Sequence, residues 1–249
     1  MTTTKPQRPE IDQYTIKFLI GLIALLLPTI ELVLTSGQID SISQSYWYAH
    51  SPWTRNIFVG FLYSIGALLV GYNGSDHREL WFAKVACVSA VVVAMFPCAC
   101  GRDDREIIPG VHTSSAAAMF LVLAWFCKHF IDRARSRLDA KKKAQVARKI
   151  RAKRRIVIYQ ICGIGMLASF ALIGLHKIVG QENWVFWGET IGLYSFGVAW
   201  LTASKAAPGF KRLTADLDEQ QVLFPLSPVE APADNTVAPM AAPHRVPYP

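Results

Sequence analysis

Asp132–Arg155 reads DRARSRLDAKKKAQVARKIRAKRR: twelve Lys or Arg against two Asp, a net +10 in a chain that sums to +8. On each side of it lies an apolar segment of membrane-crossing length, Val111–Ile131 before and Ile156–Val179 after. A basic run between two crossings is a cytoplasmic loop, and it orients every other segment of the chain. Nucleic acid is the sharper alternative but not the expected partner, because the run carries no interleaved aromatic residues on which bases stack. Anionic lipid headgroups are its expected partners, each basic residue near the surface contributing on the order of 1 kcal/mol.

Working outward, six stretches approach the ~20 apolar residues of a helical crossing. They are Tyr14–Thr35, Asn56–Gly74, Glu79–Pro97, Val111–Ile131, Ile156–Val179 and Trp184–Ser204. The second is glycine-rich and the third carries Lys84, which can snorkel to the inner interface. With 52% hydrophobic residues among 249 and a mean hydropathy of +0.26, too little polar surface exists to solubilise a bundle of this kind. The expected fold is therefore all-α, a polytopic bundle of six transmembrane helices. The first span has no small-residue cleavage site and is expected to stay as an anchor.

An even number of crossings puts both termini in the cytoplasm. Lys5, Arg8 and Lys17 precede the first helix, and Lys205, Lys211 and Arg212 follow the last. The opposite loops hold Arg55, and Arg102 and Arg105 offset by Asp103, Asp104 and Glu106. Residues 1–13 form a polar lead-in, residues 14–205 the membrane domain, and residues 206–249 a Pro/Ala-rich tail with eight of the fourteen prolines, expected to be disordered.

Small residues recur at helical spacing in three spans: Gly60, Ser64, Ala67 and Gly71; Ala83, Cys87, Ala90 and Ala94; Gly188, Gly192, Ser195 and Ala199. Such stripes predict close helix packing. Pro28 predicts a kink in the first span. Cys87, Cys127 and Cys162 read as apolar fillers. At Cys98 and Cys100 a disulfide is chemically permitted, but a bond between residues two apart would be strained, so free thiols are expected; with no paired CxxC set, a structural zinc site is not expected. Tyr46, Trp47, Tyr48, Trp53, Trp184 and Trp187 form the outer aromatic belt.

Ionisable groups at membrane depth are functional candidates. Glu31, His112, Glu189 and His176 fall in the outer part of their spans. The first outer loop adds Asp40, Ser41, Ser43, Tyr46 and His50, and the second adds Asp103 and Asp104. The candidate catalytic set is Glu31, Ser43, His50, His112 and Glu189. Of these, His50, His112 and Glu189 could hold a divalent metal with an open water position. Imidazole and carboxylate could equally serve as an acid–base pair on an ester, or bind a headgroup without reacting. Each residue also has a structural reading. The two glutamates can share a proton or bond nearby hydroxyls, His112 can open a helix, His50 can be solvated, and His176 can sit at the interface.

Several stretches carry a resemblance. They are Ser41-Ile-Ser43 with aromatics, His50 and Arg55-x-x-Phe58-Val-Gly60; Ala94-Met-Phe96-Pro97; His112 before a small-residue helix; and Phe186-Trp187-x-Glu189 leading to Ser195-Phe196-Gly197-Val198-Ala199-Trp200-Leu201. In this order, over residues 14–205, they resemble a family of bacterial inner-membrane proteins akin to the six-helix FRAG/DRAM/Sfk-type proteins, some of which are linked to lipid handling. The resemblance implies a bacterial plasma-membrane location. A more distant likeness is to membrane hydrolases such as alkaline ceramidases and adiponectin receptors, which place a Ser, an Asp and three His around zinc on seven helices. This chain has six spans and Glu189 in its last helix where those have a His-x-x-x-His pair, so a carry-over rests on Ser43, His50 and His112 alone. The expected function is binding or processing of a lipid or amphiphile at the outer half of the bilayer. The rival readings are a metal-dependent membrane hydrolase and a non-enzymatic assembly protein or small transporter.

Overall fold

The computed structural model describes residues 12–100, 108–140, 146–180 and 183–204. Asp103, Asp104, the terminal basic residues other than Lys17, and the tail lie outside them. The chain divides into two units, Met1–Ala215 and Asp216–Pro249, and all described residues belong to the first.

These residues are all-helical: α1 (Gln13–Thr35), a short 3-10 helix (Ile42–Trp47), α2 (Pro52–Gly71), α3 (His77–Met95), α4 (Val111–Ala140), α5 (Val146–Val179) and α6 (Trp184–Ala203). Each of the six expected spans is a helix. By length and composition four of them, α1, α2, α4 and α5, are able to cross a membrane. α3 carries His77, Arg78, Glu79 and Lys84. α6 is buried on several faces at once, from Phe186 to Thr202, so neighbours rather than lipid set its composition. Most of the expected basic loop is helical too, since α4 runs on to Ala140 and α5 begins at Val146. Helix formers without Gly or Pro allow both extensions.

Local chemistry sets the boundaries. The Asp12 carboxylate accepts the Tyr14 N–H and caps α1, which ends where Ser36 turns left-handed (φ 51°). Asp76 accepts the Glu79 N–H at 2.8 Å and opens α3. Successive helices pack side by side, and α6 returns to α1, which closes the ring.

One end of the ring is filled with rings of another kind. Trp200, fully buried, lies 5.1 Å from Tyr72, 5.2 Å from Phe126 and 5.3 Å from Phe196, centroid to centroid. Lys17 adds its ammonium 5.5 Å from the Tyr72 ring. The starts of α1 and α5 and the ends of α2, α4 and α6 meet here, which puts the beginning of α1 and the end of α6 together.

The stripes behave differently from one another. On α3, Ala83, Ala90 and Ala94 are buried. On α6, a Cβ on Gly188 would stand 3.2 Å from the Ser169 carbonyl oxygen of α5. On α2 the expectation fails: Gly60, Ser64, Ala67 and Gly71 are exposed. The helix instead buries the bulky face Phe58, Leu62, Ile65 and Leu69, where more apolar area is available to remove from water. Nothing lies within 4 Å of a Cβ placed on Gly60. Gly60→Ala is therefore expected to raise stability by about 0.5–1 kcal/mol, the helix-propensity gain with no steric cost, read from an unfolding titration in mixed micelles.

Candidate functional site

At the other end of the ring, the α1–α2 connection folds inward rather than over the surface. Its backbone is tied to α6, since Phe186 donates its N–H to the Asp40 carbonyl at 2.8 Å. The following 3-10 helix buries Ile42, Ser43 and Ser45. This carries Ser43 between the beginning of α4 and the first turns of α6.

Three side chains from three segments meet there. Glu189 Oε2 accepts the Ile42 N–H at 2.6 Å, and its Oε1 lies 3.3 Å from Ser43 Oγ. His112 Nε2 lies 3.1 Å from the same Oγ. His112 Nδ1 lies 2.7 Å from the Phe96 carbonyl oxygen at the end of α3. A carbonyl only accepts, so Nδ1 donates to it, and in the neutral ring Nε2 presents its lone pair to Ser43. Ser43 and His112 are buried, whereas Glu189 is half-buried.

The three line a cavity of about 630 Å³. Its character is split. Asp40, Gln44, Thr113 and His176 extend the polar wall, while Phe120, Phe170, Ile173 and Val185 make an apolar one. The volume falls within the ~300–1,000 Å³ typical of small-molecule sites, which pair apolar lining with a few placed polar groups. Cys98 and Cys100 also line the cavity and are joined by a disulfide, with their Cα atoms 5.2 Å apart. That corrects the expectation of free thiols: the separation falls within the usual ~4.4–6.8 Å of a disulfide.

The remaining candidates lie elsewhere. Glu31 is fully buried on α1, and among the described residues neither carboxylate oxygen has a hydrogen-bond partner. The two glutamates do not bond each other, and Glu189 takes the hydroxyl partner instead. His50 is exposed and leans on the Tyr48 ring at 5.3 Å, away from the cavity. The metal-binding trio of His50, His112 and Glu189 is thus not assembled.

Among the described residues one group offers three metal-ligating side chains, Asp76, Glu79 and His129, with atoms within 4.8 Å of one another. It lies at the aromatic-filled end. Arg133 forms an ion pair with Glu79 and stands 3.0 Å from His129 Nε2. A fixed guanidinium supplies there the positive charge that a metal would bring. The sequence reading missed this network because Glu79 counted only as the edge of a span and Arg133 as one charge in a basic run. The Asp76-x-x-Glu79 capping signature was the available signal. It also missed the apolar wall, whose residues look like ordinary helix packing until the ring is closed.

No family model matches the chain, and neither a curated protein nor a solved structure does.

Proposed function

We propose that this chain is a six-span membrane protein with both termini on the cytoplasmic side, and that it binds the headgroup and proximal chain of a lipid or other amphiphile in the cavity at the outer end. One observation carries the reading: a single cavity joins a Glu189–Ser43–His112 polar wall to a Phe120–Phe170–Ile173 apolar wall. A polar solute would leave the second wall wasted, and a pure hydrocarbon would leave the first without partners.

The surface supports the membrane setting. α5 exposes Val157, Ile161, Ile164, Leu167, Leu175 and Ile178 along one flank. α3, despite its polar start, exposes Trp81, Val85, Val88 and Met95. That apolar outward face favours counting it as a crossing. Trp53 and Trp187 near one end and Trp81 near the other are the exposed indoles expected at two interfaces. A location in a bacterial plasma membrane follows from the resemblance noted above, and so does the link to lipid handling. The non-enzymatic assembly reading keeps the fold but gives the split cavity no role.

The test is retention of amphiphile by the purified chain. Native mass spectrometry from gentle detergent is expected to show one co-purifying lipid. Ala116→Trp, which places an indole against the cavity lining, is expected to reduce its occupancy at least about tenfold. Equal occupancy in both proteins overturns the reading.

A further inference from the structure

We infer that Ser43 is a nucleophile, activated by His112, and that the amphiphile held in the cavity is an acyl ester. This rests on the binding reading above and goes beyond it, from occupancy to covalent chemistry.

The geometry has the three parts that an activated serine requires: a hydroxyl facing a ligand space, a base within hydrogen-bond reach, and a third group that orients the base. Ser43 Oγ faces the cavity, with His112 Nε2 3.1 Å away. The Phe96 carbonyl, 2.7 Å from Nδ1, fixes the tautomer that leaves Nε2 able to take a proton. Glu189 stands on the far side of Oγ at 3.3 Å, anchored by the Ile42 N–H. The hydroxyl has one proton and two acceptors in reach. The hydroxyl donates to Glu189 Oε1, and rotation about the Ser43 side chain turns its proton to His112 Nε2; the Phe96 carbonyl, rather than a carboxylate, orients the imidazole. His112 and Thr113 belong to the first turn of α4 and border the same cavity. The positive end of that helix favours an oxygen that turns negative as the carbonyl is attacked.

The reaction balances with water as the second substrate. Ser43 Oγ attacks the acyl carbon, and its proton moves to His112 Nε2. The bond from the acyl carbon to the alkoxy oxygen breaks, and that oxygen takes the proton from Nε2 and leaves as the alcohol. Water then attacks the acyl–Ser43 ester and gives one proton to Nε2. The acid departs and Nε2 returns the proton to Ser43 Oγ. The net change is ester plus water to carboxylic acid plus alcohol. The apolar wall would hold the acyl chain while the polar wall faces the ester.

A long-chain alkyl fluorophosphonate tests this on the full chain in lipid nanodiscs. Its phosphorus is attacked by activated serines, and its chain matches the apolar wall. The expected result is one adduct, mapped by peptide mass spectrometry to Ser43 and absent from Ser43→Ala. His112→Gln is expected to slow labelling about 100-fold. In the wild type the rate is expected to rise as the imidazole loses its proton, and His112→Gln is expected to abolish that dependence. A purely structural serine would show neither. The decisive arm needs no variant. Wild-type protein that retains lipid by native mass spectrometry yet stays unlabelled at Ser43 overturns the nucleophile and leaves the binding proposal standing. Protein that neither retains lipid nor takes the label overturns both.

Discussion

Glu79→Ala is expected to lower the unfolding free energy by about 3–5 kcal/mol, the usual loss when one partner of a buried ion pair is removed. The carboxylate is fully buried and receives more than one partner. Arg133 pairs with it, Tyr72 donates its hydroxyl, and Ser75 donates through both its N–H at 2.8 Å and its hydroxyl at 2.6 Å. These bonds join α2, α3 and α4. With Ala in place, the part-buried Arg133 guanidinium loses the carboxylate it pairs with. The penalty comes chiefly from that uncompensated charge rather than from lost attraction. Replacing both partners, as in Glu79→Leu with Arg133→Met, is accordingly expected to recover most of the loss. An SDS titration of the three proteins decides it: a double variant as unstable as Glu79→Ala would sink the account.

The second large effect is expected where α1 and α6 cross. A Cβ on Gly197 would stand 2.9 Å from the Gly21 carbonyl oxygen and 2.7 Å from Leu25 Cδ2; one on Gly21 would stand 2.9 Å from the Gly197 carbonyl oxygen. The leucine tip can rotate, but the two backbones cannot separate without opening the ring where it closes. Gly197→Val is therefore expected to cost about 3 kcal/mol, at the upper end of the ~1–3 kcal/mol typical of overpacking. Thermal unfolding in detergent, followed by intrinsic Trp fluorescence, reads the effect. Since Trp200 lies one turn further along α6, its emission is expected to shift as well. A midpoint within a degree of wild type would show that the crossing is not tight. The contrast with Gly60, whose stripe looks the same on paper, makes the pair informative.

That contrast marks what the sequence can carry. Hydropathy and length placed four of the six helices within about four residues, but α4 runs nine residues past its expected end and α5 begins ten before its expected start, because helix formers carry the backbone on where the apolar run stops. The end of the bundle was legible as well: Ser43, His112 and Glu189 were all read to one end, and they meet there. Direction around each helix was not. Glu31 was read to the same end, yet it is buried elsewhere on α1 and does not line the cavity. His50 follows Ser43 by only seven residues and faces out, because the 3-10 helix turns the chain inside and then releases it. The α2 stripe failed for the same reason. Small residues permit close approach, but only the closed ring determines which side of a helix has a neighbour.

The aromatic end of the ring has a kinetic meaning. From Phe120 on the cavity wall to Phe126 beside Trp200 is six residues of α4, about 9 Å at 1.5 Å per residue. Phe126 meets Trp200 edge to face at 5.2 Å, and neither borders the cavity. Close-packed rings therefore separate the cavity from the opposite end of the ring, so on the binding proposal a guest is expected to exchange at the cavity's own end rather than pass along the bundle.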